Sequence, residues 1–321
     1  MSEGNIDLFD GHCDTILQRY LVGGSLRKNE GHIDLERAGK YRRYAQFFAL
    51  FGAAEDFPDR HFSPTRLWTV CQEEYAVFQR EMQANEDRIS FCRSAGEAEQ
   101  AFAAGKAAAF LSVEGAELLD CSLERLEEAH AMGVRAVNLT WNHVNDLSGT
   151  NVEEPERGLT GQGKAFVHKM ARLGMLVDVS HLSDPGFWDV AELLDGPFFA
   201  SHSDSRALRQ NSRNLTDAQF TAIIEHDGVA GLNLYADFLG ENPDLDTVVA
   251  HLEHFLDLGG ERNVALGGDL DGCDVLPAGI TGIQDLDRLW ERLLQRNYSE
   301  ALLRALFFEN LMRVVSKVCT M

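Results

Sequence analysis

Histidines and acidic residues of this chain fall in a few short strings whose spacing suits metal coordination. His12 and Asp14 form a His-x-Asp at the end of the apolar run 6–11. The two-residue period of an extended chain sends both side chains the same way, so an imidazole nitrogen and a carboxylate oxygen reach one cation. Glu114 closes the run 108–113 and precedes Gly115, where an unpaired buried carboxylate would be costly. His181 follows the run 175–180, His202 follows 198–201, and Asp269 stands in GGDLDG. Each has an ordinary structural alternative: a chance His-x-Asp, a rim salt bridge, or a hydrogen-bonded core histidine. Their joint position is harder to explain that way.

Three imidazoles with the carboxylates Asp14 and Glu114 suit zinc, with manganese or cobalt as alternative occupants. Charge argues for two ions. Four positive charges are nearly balanced by Glu114, Asp14, Asp269 and a hydroxide, and a single ion would leave His181 and His202 without a role. Two cations bridged by Glu114, roughly 3.5 to 4 Å apart, would lower the pKa of a shared water to near 7. Asp269 would then take the proton of that water and pass it to the leaving amine.

For these residues to meet, the elements that carry them must converge. Eight short apolar runs, at 6–11, 45–51, 108–113, 135–140, 175–179, 198–201, 229–234 and 264–267, read as strands buried on both faces. Segments of helical period lie between them: 123–132 has Leu123, Leu126, Ala129 and His130 on one side, and 160–173 carries Phe166, Val167 and Met170. Thr216 and Asp217 mark a helix start, and Gly133, Gly174 and Gly228 mark helix ends. This alternation predicts one α/β domain over 1–321, a (β/α)8 TIM barrel whose site lies at the C-terminal ends of the strands; an open doubly wound sheet has the same pattern. Segments 29–41 and 55–64 are long and polar and are expected to pass over the barrel rim. Segments 283–295 and 299–318 read as two extra amphipathic C-terminal helices.

Composition narrows the function classes. The 321 residues are 45% hydrophobic, and 51 Asp and Glu against 29 Lys and Arg give a net charge of -22. Such a surface repels nucleic acid and anionic membranes. Six cysteines without CxxC pairs argue for reduced thiols. The first residues lack a basic and then apolar leader, and no run is long enough to span a bilayer, so a soluble cytoplasmic protein is expected.

The strings DGHCD, SVEGAE, GLTGQGK, LGMLVDVSHLSD, FFASHSDSRAL, SRNLTD and GGDLDG, in this order, resemble the renal (membrane) dipeptidase family from about residue 8 to the C-terminus. The resemblance implies an amidohydrolase-like barrel with a binuclear zinc site that hydrolyses dipeptides, commonly tolerating a D residue at the C-terminal position. It implies His12 and Asp14 on one zinc, His181 and His202 on the other, and Glu114 bridging both. It further implies Asp269 as the proton-handling acid, Arg213 of SRNLTD as the holder of the substrate carboxylate, and a homodimer. One departure stands out. Mammalian members carry a histidine at the end of the fourth strand, where LTWNHVND has Trp141, as in some bacterial members. His143 is then a candidate to stabilise the tetrahedral intermediate, and Trp141 reads as a wall of the pocket. The expected activity is zinc-dependent hydrolysis of small dipeptides. The alternatives are an amidohydrolase acting on a lactam, cyclic amide or N-acyl amino acid, and a catalytically silent metal-binding protein that recognises peptides.

Overall fold

A computed structural model describes residues 6–53 and 66–320; the expected excursion at 55–64 lies outside the described residues. The strands are β1 (Asp7–Asp10), β2 (Arg43–Phe51), β3 (Ile89–Phe91), β4 (Ala107–Glu114), β5 (Val134–Asn138), β6 (Leu176–Asp178), β7 (Phe199–Ala200), β8 (Val229–Leu232) and β9 (Val264–Leu266). All pairings within the sheet are parallel. The order β2-β1-β9-β8-β7-β6-β5-β4 closes through the β2–β4 pair, which makes an eight-stranded barrel with helices between the strands.

Among the described residues nine strands rather than eight are present because β3 pairs with the first half of β4, Ile89 to Ala107 and Phe91 to Ala109, while β5 takes over the same edge from Leu111. Three residues, Ile-Ser-Phe, are too few for their periodicity to distinguish a strand from a loop.

Each barrel strand sends at least one side chain into a closed apolar interior: Phe9, Phe47, Phe110, Ala136, Leu176, Phe199, Val229 and Ala265 belong to one buried cluster. Phe9 stacks on Phe110 at 5.3 Å and on Phe47 at 5.7 Å between ring centroids. The C-terminal segment closes the end from which the strands start. Its helix runs from Glu300 to Val318 with a π turn at Ala305–Glu309 that the plain amphipathic pattern of 299–318 did not show. Phe308, Leu311, Val314 and Val315 join the interior cluster, and Asn310 donates to the Val264 carbonyl at 2.8 Å.

Local signals operate where the residues allow. Thr216 and Gln219 form a reciprocal cap at the start of the helix Asp217–Glu225. Gly133 and Gly174 end their helices at positive φ, 104° and 68°. Gly228 does not play that part: Asp227 takes the left-handed turn at φ 54°, and Gly228 is needed because a Cβ there would collide with the Phe198 carbonyl. Among the described residues no helix is long and apolar enough to cross a membrane. The six cysteines are buried and unpaired.

Candidate metal centre

The strand ends deliver their acids and imidazoles to one point. Glu114, the last residue of β4, is 3% exposed and divides its two oxygens between two groups of histidines. Its Oε2 lies 3.3 Å from His12 Nε2, while its Oε1 lies 3.0 Å from His181 Nε2 and 3.4 Å from His202 Nε2. His12 Nε2 is 3.7 Å from Asp14 Oδ2, and ligand atoms of His12, Asp14 and Asp269 all lie within 4.8 Å of one another. Those of His12, Glu114 and His202 do the same, so the donors form one continuous cluster.

The donor chemistry fits cations. His181 donates from Nδ1 to Asn142 Oδ1 at 2.9 Å, which leaves Nε2 as a lone pair. That lone pair sits 3.0 Å from a carboxylate oxygen and 3.0 Å from His202 Nε2, an arrangement of electron donors around a common centre. The same lone pair accepts from Arg213 Nη2 at 3.0 Å. His12 Nε2 and Asp14 Oδ1 are buried without a hydrogen-bond partner, which is costly unless something else satisfies them.

Electrostatics sort the same residues. Burial opposes the charge of Glu114, but His12 first, and then the close imidazoles of His181 and His202, hold it well below the usual carboxylate range. His12 is raised well above an ordinary imidazole; burial resists this and Glu114 outweighs it. Burial and then Arg213 pull His181 down to about 4, and burial and then His12 pull His202 well down. Both thus keep the neutral form in which imidazole binds metals. Burial and the neighbouring Glu114 push Asp14 up to about 7. Burial also raises Asp269, whose Oδ2 accepts from Asn233 Nδ2 at 3.1 Å.

A cavity of about 330 Å³ opens over the cluster, lined among others by Asp14, Glu114, Trp141, His181, Arg213 and Asp269. Arg213 is the one Arg or Lys among the described residues that line it. It is 7% exposed, with its guanidinium 5.3 Å from the Phe238 ring centroid. Trp141 lies in the wall, its ring tilted by 60° against that of Phe51 with the centroids 4.9 Å apart. His143 Nδ1 meets Glu153 Oε1 at 3.0 Å, its ring centroid lies 5.6 Å from that of Trp141, and among the described residues it is not one of those that line the cavity. Glu153 also accepts from the Val144 amide at 3.0 Å and so holds both residues of that turn. Segment 29–41 does reach this end, where His32 Nδ1 accepts from the Asp271 amide at 2.9 Å.

Asn142 and Asn233, which orient His181 and Asp269, escaped the reading of the sequence. An asparagine next to Trp141 or at the end of an apolar run carries no ligand spacing of its own, and only the fold shows what it faces.

Known proteins resemble this chain over most or all of its length. The family model described as membrane dipeptidase (peptidase family M19) matches residues 4–321. A metallo peptidase from Rhodobacter sphaeroides, solved with a phosphinate mimic of the dipeptide L-Ala-D-Ala, is 29% identical, superposes with a TM-score of 0.88 and covers 98% of this chain and 99% of its own. A further solved metallo peptidase of the same family, dipeptidase AC, is 30% identical with a TM-score of 0.86 over 98% of this chain and 99% of its own. An uncharacterized protein in the pqqA 5′ region of Klebsiella pneumoniae is 32% identical, covering 78% of this chain and 96% of its own.

Proposed function

The chain belongs to the membrane dipeptidase family of metallopeptidases (peptidase family M19), and from that premise we propose that it hydrolyses small dipeptides, L-Xaa-D-Xaa among them, with two zinc ions. One observation carries the reading: a buried guanidinium, Arg213, stands in the cavity wall beside a carboxylate whose two oxygens face separate histidines.

His12 and Asp14 would hold one ion and His181 and His202 the other, with Glu114 between them. Bound there, two divalent cations supply a water of lowered pKa and polarise the scissile carbonyl. The remaining work falls to the protein. Arg213 offers the planar fork that matches a carboxylate and so selects a free C-terminus. Asp269, with Oδ2 fixed by Asn233, keeps Oδ1 for the proton of the attacking water and returns it to the leaving amine. Burial raises the pKa of Asp269, the direction that makes a carboxylate a stronger base. Trp141 and Phe51 form an apolar wall that excludes water from one side of the substrate. His143 takes no part in this scheme.

The test offers L-Ala-D-Ala and L,L-dipeptides to the protein with zinc and with a chelator. Zinc-dependent release of free amino acids is expected. Absence of metal-dependent hydrolysis of any dipeptide would sink the reading. Arg213→Lys should raise KM for dipeptides by about 10-fold or more, as expected for losing a charged bidentate contact, and leave hydrolysis of C-terminally amidated substrates at its low starting level. Asp269→Asn should reduce turnover far more than zinc content.

A further inference from the structure

Strand alternation alone would misplace the imidazoles. Phe9 points into the barrel and Leu8 out toward the helices, so a strict two-residue period sends His12 outward with Leu8. The same count sends His202 outward from the inward Phe199, and His181 outward from the inward Leu176. All three nevertheless meet Glu114 in the mouth. Something must turn the chain between the last strand residue and each histidine.

Two buried aspartates with no place in the proposed chemistry sit at those turns and share one geometry. Asp10, the last residue of β1, accepts from the His12 amide at 3.1 Å and from Gln46 Nε2 at 2.8 Å on Oδ1, and from the Gly268 amide at 2.7 Å on Oδ2. Asp178, the last residue of β6, accepts from the Ser180 amide at 3.0 Å and from the Ser201 amide at 3.0 Å, both on Oδ1. Each carboxylate thus binds the amide two residues along its own chain, an Asx turn, and an amide at the end of the neighbouring strand. The four amides so held belong to His12 itself and to the residues just before Asp269, His181 and His202.

We propose that Asp10 and Asp178 are positioning residues, each setting one half of the metal centre: Asp10 the His12, Asp14 and Asp269 half, and Asp178 the His181 and His202 half. The inference rests on the two-cation reading. It makes an asymmetric demand on substitution. At Asp178 both amides converge on Oδ1, so an asparagine keeps that acceptor and places its NH2 where the oxygen that binds neither amide stood. At Asp10 both oxygens serve backbone amides, so whichever way an asparagine lies, its NH2 meets the N–H of His12 or of Gly268.

The experiment titrates zinc into the metal-free parent, Asp178→Ala, Asp178→Asn and Asp10→Asn, with circular dichroism to establish that each is folded and anomalous scattering to locate the ions. Asp178→Ala should bind one of two ions about 10- to 100-fold more weakly, the range found when the groups that orient metal ligands are lost, and the ion it keeps should sit beside His12 and Asp14. Asp178→Asn should restore two-ion binding. Asp10→Asn should weaken the complementary ion, the one beside His12. Equal loss of both ions in every variant, or an Asp178→Asn as impaired as the alanine, overturns the inference, because a merely structural role predicts that. Parent-like binding of both ions by all variants overturns the inference alone, and a parent that binds no zinc overturns it together with the two-cation reading.

Discussion

Where the barrel strands start, Phe9, Phe47, Phe110 and Phe199 pack against Phe308, Leu311 and Val315 of the C-terminal helix, and Asn310 closes the seam on the Val264 carbonyl. Where the strands end, some 10 Å or more farther along by the rise of a strand, Glu114, Asp14, His12, His181 and His202 are buried beside one another, and His12 Nε2 and Asp14 Oδ1 lack hydrogen-bond partners. The floor gains stability from every contact it makes. The mouth holds groups that repel one another or stay unsatisfied, and it persists because the floor, and the helices around it, stabilise the frame that carries it.

That division is breakable by substitution at either end. Glu114→Gln should cost more than about 100-fold in kcat/KM and lower zinc content, exceeding the loss typical of residues that only orient ligands, while the unfolding free energy of the metal-free protein changes less than for any floor variant. A large loss of metal-free stability would show that the mouth is structural after all. Phe308→Ala should cost about 3 to 5 kcal/mol in denaturant unfolding, the range for truncating a buried phenylalanine, with zinc stoichiometry unchanged in the folded protein. Loss of zinc from folded Phe308→Ala would mean that the floor sets the mouth's geometry directly.

The smallest effect lies at the rim of the floor, where Asp7 accepts from Arg42 Nε at 2.8 Å and Arg43 Nε at 3.0 Å. Burial works against the Asp7 charge, yet these two arginines hold its pKa below the ordinary value. A depressed carboxylate stabilises the fold fully above its unfolded pKa, and the contribution is lost as pH falls through the lower folded value. Asp7→Asn should therefore flatten the pH dependence of unfolding below about pH 4 and leave the neutral-pH activity of the mouth untouched. An unchanged acid limb would remove Asp7 from the account.

Much of this was legible before the fold was in hand. Strands buried on both faces leave compact apolar runs, and the first polar residue after each run marks the barrel mouth, which is why His12, Glu114, His181, His202 and Asp269 stood out. Arg213 did not: in SRNLTD it resembles any surface arginine, and only the resemblance to a family marked it. Its burial against Phe238 and beside His181 comes from the long connection after β7 folding back over the cavity. β3 was illegible because three residues carry no period, and the π turn at Ala305–Glu309 because one inserted residue barely disturbs an amphipathic pattern.

The amino-acid sequence by itself determined which residues are available at the mouth, since hydrophobic runs of strand length and their polar terminators are local properties of the chain. The direction in which those residues point is another matter. Alternation along β1, β6 and β7 would turn His12, His181 and His202 away from the site, and they face it because Asp10 and Asp178 draw amides from neighbouring strands onto one carboxylate. Hydrogen bonds between residues as far apart as Asp10 and Gly268 exist only once the barrel has closed, so the tertiary structure alone decided that these side chains form a centre.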